Sequence, residues 1–318
     1  MKNKHFVIAA GTGFLGSSLA SYFSRHNHIT ILTRQLLPDT NRIRHVQWDA
    51  IHPGSWASCL EKADMLINLA GRSVNCRYTA ANKALIMDSR INATRVLGTA
   101  IQQLKYPPAL WINAGSATIY RHAEDRAMNE YNGEMVDDFS TQVCKQWESA
   151  FDAYDLPRTR KIVLRIAIAL GWQPGGAMHP YLRLAKCGLG GYQGHGRQMC
   201  SWVHITDVCR MVEWLYDNEQ PSGVFNCAAP GPVPNKIFMQ AVRQAVGAPF
   251  GLPAPTPLLK MGAASIGTET ELVLKSRWVL PEKALRAGFV FRFPAIQEAL
   301  SDIVAHLQLR SGHTDFVN

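Results

Sequence analysis

Glycines at positions 11, 13 and 16 end an apolar run, His5-Phe-Val-Ile-Ala-Ala10-Gly11-Thr12-Gly13-Phe14-Leu15-Gly16. That spacing suits the pyrophosphate of a dinucleotide. Gly11 permits a tight turn out of a strand, Gly13 lets backbone approach phosphate oxygens without an intervening Cβ, and Gly16 allows the next helix to pack closely. The helix then offers free N–H groups and a positive dipole end to the anion. Gly11, Thr12, Gly13, Phe14, Leu15 and Gly16 are therefore the first candidate ligands. Lys2 and Lys4 ahead of an apolar run also resemble the start of a secretory signal. The glycines interrupt that run, and Asn27-His28 leads directly into a second strand, which favours the cofactor loop.

The second strand ends Ile29-Thr-Ile-Leu-Thr33-Arg34, with no acid to hold a ribose 2′-hydroxyl. Arg34 instead offers a planar guanidinium to a 2′-phosphate. NADP(H) is the expected cofactor, with Thr33 and Arg34 among its ligands. Ligands of doubly wound sheets collect at strand carboxyl ends, which adds Leu69, Ala70 and Gly71 to the cofactor set. Ser116, after a fifth strand, is a candidate donor to a substrate oxygen, and Tyr120 beside it is a candidate proton donor. His122, Cys144 and Lys145 are further groups able to hold or move a proton. Cys144 reads equally as a small buried hydrophobe, and His195 as an exposed loop residue or an anion contact. His204 and Asp207 read as a helix cap, and Trp147 as core.

The elements that must position these groups alternate. Strands are predicted at 6–10, 29–33, 46–48, 63–71, 110–115 and 162–170, with helices at 80–103, 142–151, 206–217 and 235–246. Alternating strands and helices imply an α/β fold with a parallel, doubly wound sheet. The texture changes after Leu170, where glycine and proline become dense. Residues 1–170 are expected to form the nucleotide-binding domain and 171–318 a smaller substrate-side domain, with 223–228 a strand able to rejoin the sheet.

Composition narrows the function class. Of 318 residues, 47% are apolar and 18% charged, and no apolar run is long enough to span a membrane. Thirty-three basic against 24 acidic residues leave a formal charge of +9. The two dense basic runs, Arg42-Ile-Arg44-His45 and Arg158-Thr-Arg160-Lys161, are short and expected in solvated loops. A nucleotide cofactor explains the balance better than nucleic acid does. Seven scattered cysteines without a C-x-x-C pair point to free thiols and a cytoplasmic setting. No histidine spacing suits a metal. The expected partner is a small-molecule substrate, and the chain a monomer or homodimer.

Several segments resemble the extended short-chain dehydrogenase/reductase superfamily: the glycine loop, Gly115-Ser116-Ala-Thr-Ile-Tyr120 and Trp202-Val-His-Ile-Thr-Asp207. Others are Ile67-Asn-Leu-Ala-Gly71, Ser89-Arg90-Ile-Asn92-Ala-Thr94, Val143-Cys144-x-x-Trp147-Glu148 and Gly188-Leu-Gly-Gly191-x-x-Gly194-x-Gly196-x-Gln198. With the tail Pro281-x-Lys-Ala-Leu-x-Ala-Gly288-Phe-x-Phe, they are similar to the YfcH-like epimerase family of atypical members. The resemblance implies a Rossmann-type NADP-binding domain, a family-specific tail near 257–310 and a substrate that is not firmly established. It also implies loss of the superfamily's tyrosine–lysine pair. No Y-x-x-x-K occurs here, and the corresponding positions carry Ser140 and Cys144. Lys145 is adjacent but turned about 100° around a helix, and Ser116 matches the superfamily serine. The chain departs from its family at Ala9-Ala10, Arg72 and Arg121-His122. Two functions follow: an NADP-dependent oxidoreductase or epimerase-like enzyme on a small polar or nucleotide-linked substrate, or a non-catalytic NADP(H)-binding sensor.

Overall fold

The computed structural model describes residues 1–266 and 269–314. The end of the expected 171–318 half, and two residues within its tail, lie outside the described residues. Seven strands form one parallel sheet: β1 (His5–Ala9), β2 (His28–Thr33), β3 (Ile43–Gln47), β4 (Met65–Asn68), β5 (Leu110–Ser116), β6 (Arg160–Ile166) and, further along the chain, Gly223–Cys227. Their order is β3-β2-β1-β4-β5-β6, with Gly223–Cys227 beside β6. This is the Rossmann-like order, whose direction of winding reverses between β1 and β4 and opens a crevice there.

Helices α1 (Phe14–Phe23), α2 (Ala80–Gln103) and α3 (Phe139–Asp152) cover the sheet together with Ile205–Asp217. The unbroken apolar run of β1 makes sense in that sandwich. Phe6 and Ile8 pack with Leu19 of α1 and Val208, whereas Val7 and Ala9 face Ala93 and Leu97 of α2.

The run 162–170, read as one strand, is two. β6 stops at Ile166, and Ala167 donates to Cys227 O across 3.0 Å. The chain then turns into β7 (Ile168–Leu170), which pairs in parallel with Trp202–His204. The segment is apolar on both sides of the break, so its local pattern carries no sign of the change of partner. The remaining elements are α4 (Met178–Lys186), β8 (Met199–Cys200), β9 (Trp202–His204), α5 (Ile205–Asp217), β10 (Gly223–Cys227), β11 (Val233–Pro234), α6 (Asn235–Ala245), α7 (Thr256–Ile266), α8 (Glu271–Leu274), α9 (Glu282–Arg286) and α10 (Ile296–Thr314). α4, α6 and α10 share a second core around Trp202, Phe238 and Leu300.

Both basic runs open strands instead of lying in loops. Arg44 and His45 belong to the edge strand β3, and Arg160 and Lys161 begin β6. Arg158 donates to Leu104 O and Lys105 O just past α2, and Arg160 to Leu215 O at the end of α5 and to Pro221 O. Cations there satisfy carbonyls left free at helix ends, so part of the positive charge is structural.

Candidate active site

The glycine loop has the form a phosphate needs. Ser17 N–H donates to Gly13 O, the first bond of α1, so the N–H groups of Phe14, Leu15 and Gly16 precede the ladder. A Cβ on Gly13 would meet no atom within 4 Å, leaving open room before those donors. A Cβ on Gly16 would lie 2.4 Å from Gly11 Cα, so this glycine permits contact between helix and loop. One on Gly11 would press to 3.0 Å against side-chain carbons of Ile8 and Ile31. The sharp change of direction belongs to Ala10, at φ +57°. A side chain there costs about 1–2 kcal/mol.

Arg34 lies exposed just beyond β2, with no ion pair among the described residues. Thr33 is buried, its hydroxyl donating to Gln35 O. Across the crevice, Leu69 N–H donates to Ala9 O, and Ala70 N–H to Asn68 Oδ1. The Arg90 guanidinium lies against Gly71, where a Cβ would come within 3.0 Å of its Cζ, and sits 5.2 Å from the Trp147 ring centroid. Arg90 Nη1 also donates to Arg72 O, and Ser89 Oγ accepts from Arg72 N–H. These residues fit a dinucleotide: open space before helix N–H groups, small backbone-lined positions, and a free cation beyond β2.

Beneath this floor lies a buried polar network. Asn68 Nδ2 donates to Asn113 Oδ1 at 2.7 Å and to Thr94 Oγ1 at 3.1 Å, and Trp147 Nε1 donates to Thr94 Oγ1 at 3.0 Å. The network ties β4, β5, α2 and α3 together. Trp147 is core, as expected, and its indole N–H also ties α3 to Thr94 of α2. Asparagines inside the apolar strands at 68 and 113 were the available signal, since buried amides require partners.

Ser116 ends β5. Its Oγ accepts from Thr118 N–H at 3.3 Å and from Thr118 Oγ1 at 3.0 Å, leaving its own proton to donate. Thr118 Oγ1 lies 3.5 Å from Cys144 Sγ. Burial pushes the Cys144 thiol up, which keeps it protonated. The chain Cys144, Thr118, Ser116 thus ends in a hydroxyl whose proton is free to donate.

The structure separates Tyr120 from Ser116. Tyr120 is 1% exposed; its hydroxyl donates to Asn226 Oδ1 at 3.0 Å and accepts from Arg165 Nη1 at 2.8 Å. Burial raises its pKa, and it does not line the cavity that Ser116 borders. Arg165 is held by Glu148 through two bonds of 2.8 and 2.7 Å. Lys145 is exposed, on a different face of α3 from Cys144. His122 Nδ1 accepts from Ser276 N–H, and His195 Nδ1 accepts from Arg197 N–H, with its Nε2 3.3 Å from Glu124. His204 caps α5 by accepting from Thr206 N–H. Asp207, fully buried, receives Arg292 N–H, Phe293 N–H and Arg210.

The cavity beside Ser116 measures about 140 Å³ and is also bordered by Thr118, Ile168, Ser201 and Arg277. Arg277 belongs to no motif noticed in the sequence. It comes from a C-terminal segment stitched to β8 by Arg277 N–H to Met199 O and by Met199 N–H to Ser276 Oγ.

Residues 7–140 match the model of the NAD dependent epimerase/dehydratase family, and 254–303 that of a domain of unknown function, DUF1731. Epimerase family protein SSP1921 of Staphylococcus saprophyticus is 33% identical over 95% of this chain and 99% of its own. Epimerase family protein YfhF of Bacillus subtilis is 31% identical, covering 95% and 98%. The crystal structure of human epimerase family protein SDR39U1 (isoform2) with NADPH superposes with a TM-score of 0.85 at 27% identity, over 95% of this chain and 100% of that one. MoeE5 in complex with UDP-glucuronic acid and NAD shares the fold, with a TM-score of 0.75 at 20% identity over 96% and 99%. Glycine loop, sheet order and C-terminal segment agree with these likenesses, and the chain belongs to the NAD(P)-dependent epimerase/dehydratase family, among the epimerase family proteins with a C-terminal DUF1731 domain.

Proposed function

We propose that the protein holds NADP(H) across the carboxyl end of its sheet and acts as an oxidoreductase or epimerase-like enzyme on a small polar or nucleotide-linked substrate. The observation that carries this reading is the open cradle at Gly13 together with the unpaired Arg34 beyond β2. Phe14, Leu15 and Gly16 supply N–H donors to the pyrophosphate, Arg34 pairs with the 2′-phosphate, and Leu69 to Gly71 line the far wall. The nicotinamide, when bound, supplies hydride chemistry. Ser116 donates to the substrate oxygen, held in that role by Thr118 and the protonated Cys144.

Titration of NADPH and NADH into wild type and Arg34→Ala tests the cofactor. Losing a charge-assisted phosphate contact is expected to weaken NADPH binding by about ten- to a hundredfold and leave NADH unchanged. An unaltered preference overturns the NADP assignment. Stereospecific loss of deuterium from C4-labelled NADPH, across a panel of small carbonyl compounds and nucleotide sugars, tests the chemistry.

A second reading, a non-catalytic NADP(H)-binding protein, is favoured by one observation. Ser140 and Cys144 stand where the superfamily pair is expected, and the phenol of Tyr120 is committed to Arg165 and Asn226. Absence of turnover, with a partner that distinguishes NADP from NADPH, would select it.

A further inference from the structure

Arg277 is 7% exposed, and its Nε and Nη2 have no hydrogen-bond partner. These atoms lie on one edge of the guanidinium and present two parallel N–H bonds, the match for the two oxygens of a carboxylate. The nearest acid leaves that edge unsatisfied. Glu271 Oε1 stands 3.7 Å from Nη2, and it also faces Lys275 Nζ at 3.5 Å. Asp138 is engaged by Lys275 at 2.6 Å and by Thr141 N–H at the start of α3. A buried cation without hydrogen bonds is costly, and this one is no loose surface arm. Its backbone is bonded to Met199, and its carbonyl accepts from Ser201 Oγ.

Arg277 borders the same 140 Å³ cavity as Ser116. One water needs only about 10–15 Å³ of such space, so the cavity suits a compact organic molecule. Ser116 offers a donor to this cavity, and Arg277 is the charged residue of its lining. The remaining lining, Ala117, Ile166, Ala167 and Ile168, is apolar.

We propose that Arg277 anchors the substrate through a carboxylate, the substrate being a small hydroxy or oxo acid whose hydroxyl or carbonyl oxygen meets Ser116. This rests on the enzymatic reading above and narrows its substrate class. A cavity of about 140 Å³ has room for a compact acid and not for a whole nucleotide sugar, which favours the former.

Calorimetric titration of the NADPH-saturated protein with 2-oxobutyrate, 2-oxobutyramide and inorganic phosphate tests it. The acid is expected to bind saturably, and the amide and phosphate each at least about tenfold more weakly. Arg277→Gln should weaken the acid by at least about tenfold and leave NADPH affinity unchanged. Equal binding of acid and amide, or full affinity in Arg277→Gln, overturns the anchor. Phosphate binding as tightly as the acid overturns the carboxylate assignment. If Arg277→Gln does not fold, Ala167→Leu narrows the cavity while leaving the guanidinium intact, and unchanged acid affinity there overturns the proposal. Failure of wild type to bind NADPH would overturn the cofactor reading alone, because preference for acid over amide, measured without cofactor, still decides the anchor.

Discussion

Arg165 and Arg277 are 6% and 7% exposed, and both lie near the carboxyl ends of β5 and β6. Arg165 turns its Nε–Nη2 edge to Glu148 in two short bonds and gives Nη1 to Tyr120. Arg277 leaves the same edge buried and unsatisfied, beside the cavity that the residue borders. A buried pair with full hydrogen bonding belongs to the scaffold, and its value lies in register more than in net stability. A buried cation without hydrogen bonds is a local cost that a ligand can remove. That difference separates the residues that build the site from the one we assign to its occupant.

Breaking the satisfied pair should have the largest effect. Glu148→Gln leaves Arg165 buried without its counter-charge, and chemical denaturation should show a loss of about 3–5 kcal/mol. Tyr120→Phe comes next, because it removes the acceptor of Arg165 Nη1 and the donor to Asn226. The expected cost is about 1–3 kcal/mol, with NADPH affinity unchanged. A collapse of turnover in a stable Tyr120→Phe protein would contradict its structural assignment. At the unsatisfied arginine the sign should reverse. Arg277→Met is expected to stabilise the ligand-free protein by about 1 kcal/mol, read as a raised denaturant midpoint at unchanged slope. Destabilisation there would mean that the Glu271 ion pair already compensates the charge. The smallest effect concerns backbone strain: Ala10→Gly relieves the left-handed conformation at φ +57° and should add about 0.5–1 kcal/mol.

The central sheet was legible because burial on both faces writes itself locally, as apolar runs of strand length separated by helical spacing. The glycine loop was legible for a similar reason, since its constraints act within six residues. The break at Ala167 was not. Either side of it is apolar, and only the competition between Cys227 and β9 for backbone partners decides where β6 ends. The edge strand β3 begins at Ile43, earlier than the apolar pattern alone marked, because an exposed edge accepts Arg44 as readily as a hydrophobe. Tyr120 looked available because it follows a strand end. Its ring turns inward to Arg165, a residue 45 positions away whose position the local pattern could not reveal.

The amino-acid sequence by itself determined that this chain winds a parallel sheet and opens its first helix with a glycine loop. Those properties follow from short-range periodicity and from the missing side chains of Gly11, Gly13 and Gly16. It also determined that the usual tyrosine–lysine pair is absent. Only the tertiary structure decided which polar groups face each other. It gave Glu148 to Arg165, closed Tyr120 into the core, and carried Arg277 from the C-terminal segment to within one small cavity of Ser116, 161 positions earlier in the chain. The physical reason is that a charge is defined by what surrounds it, and for a buried side chain those surroundings come from the far end of the chain.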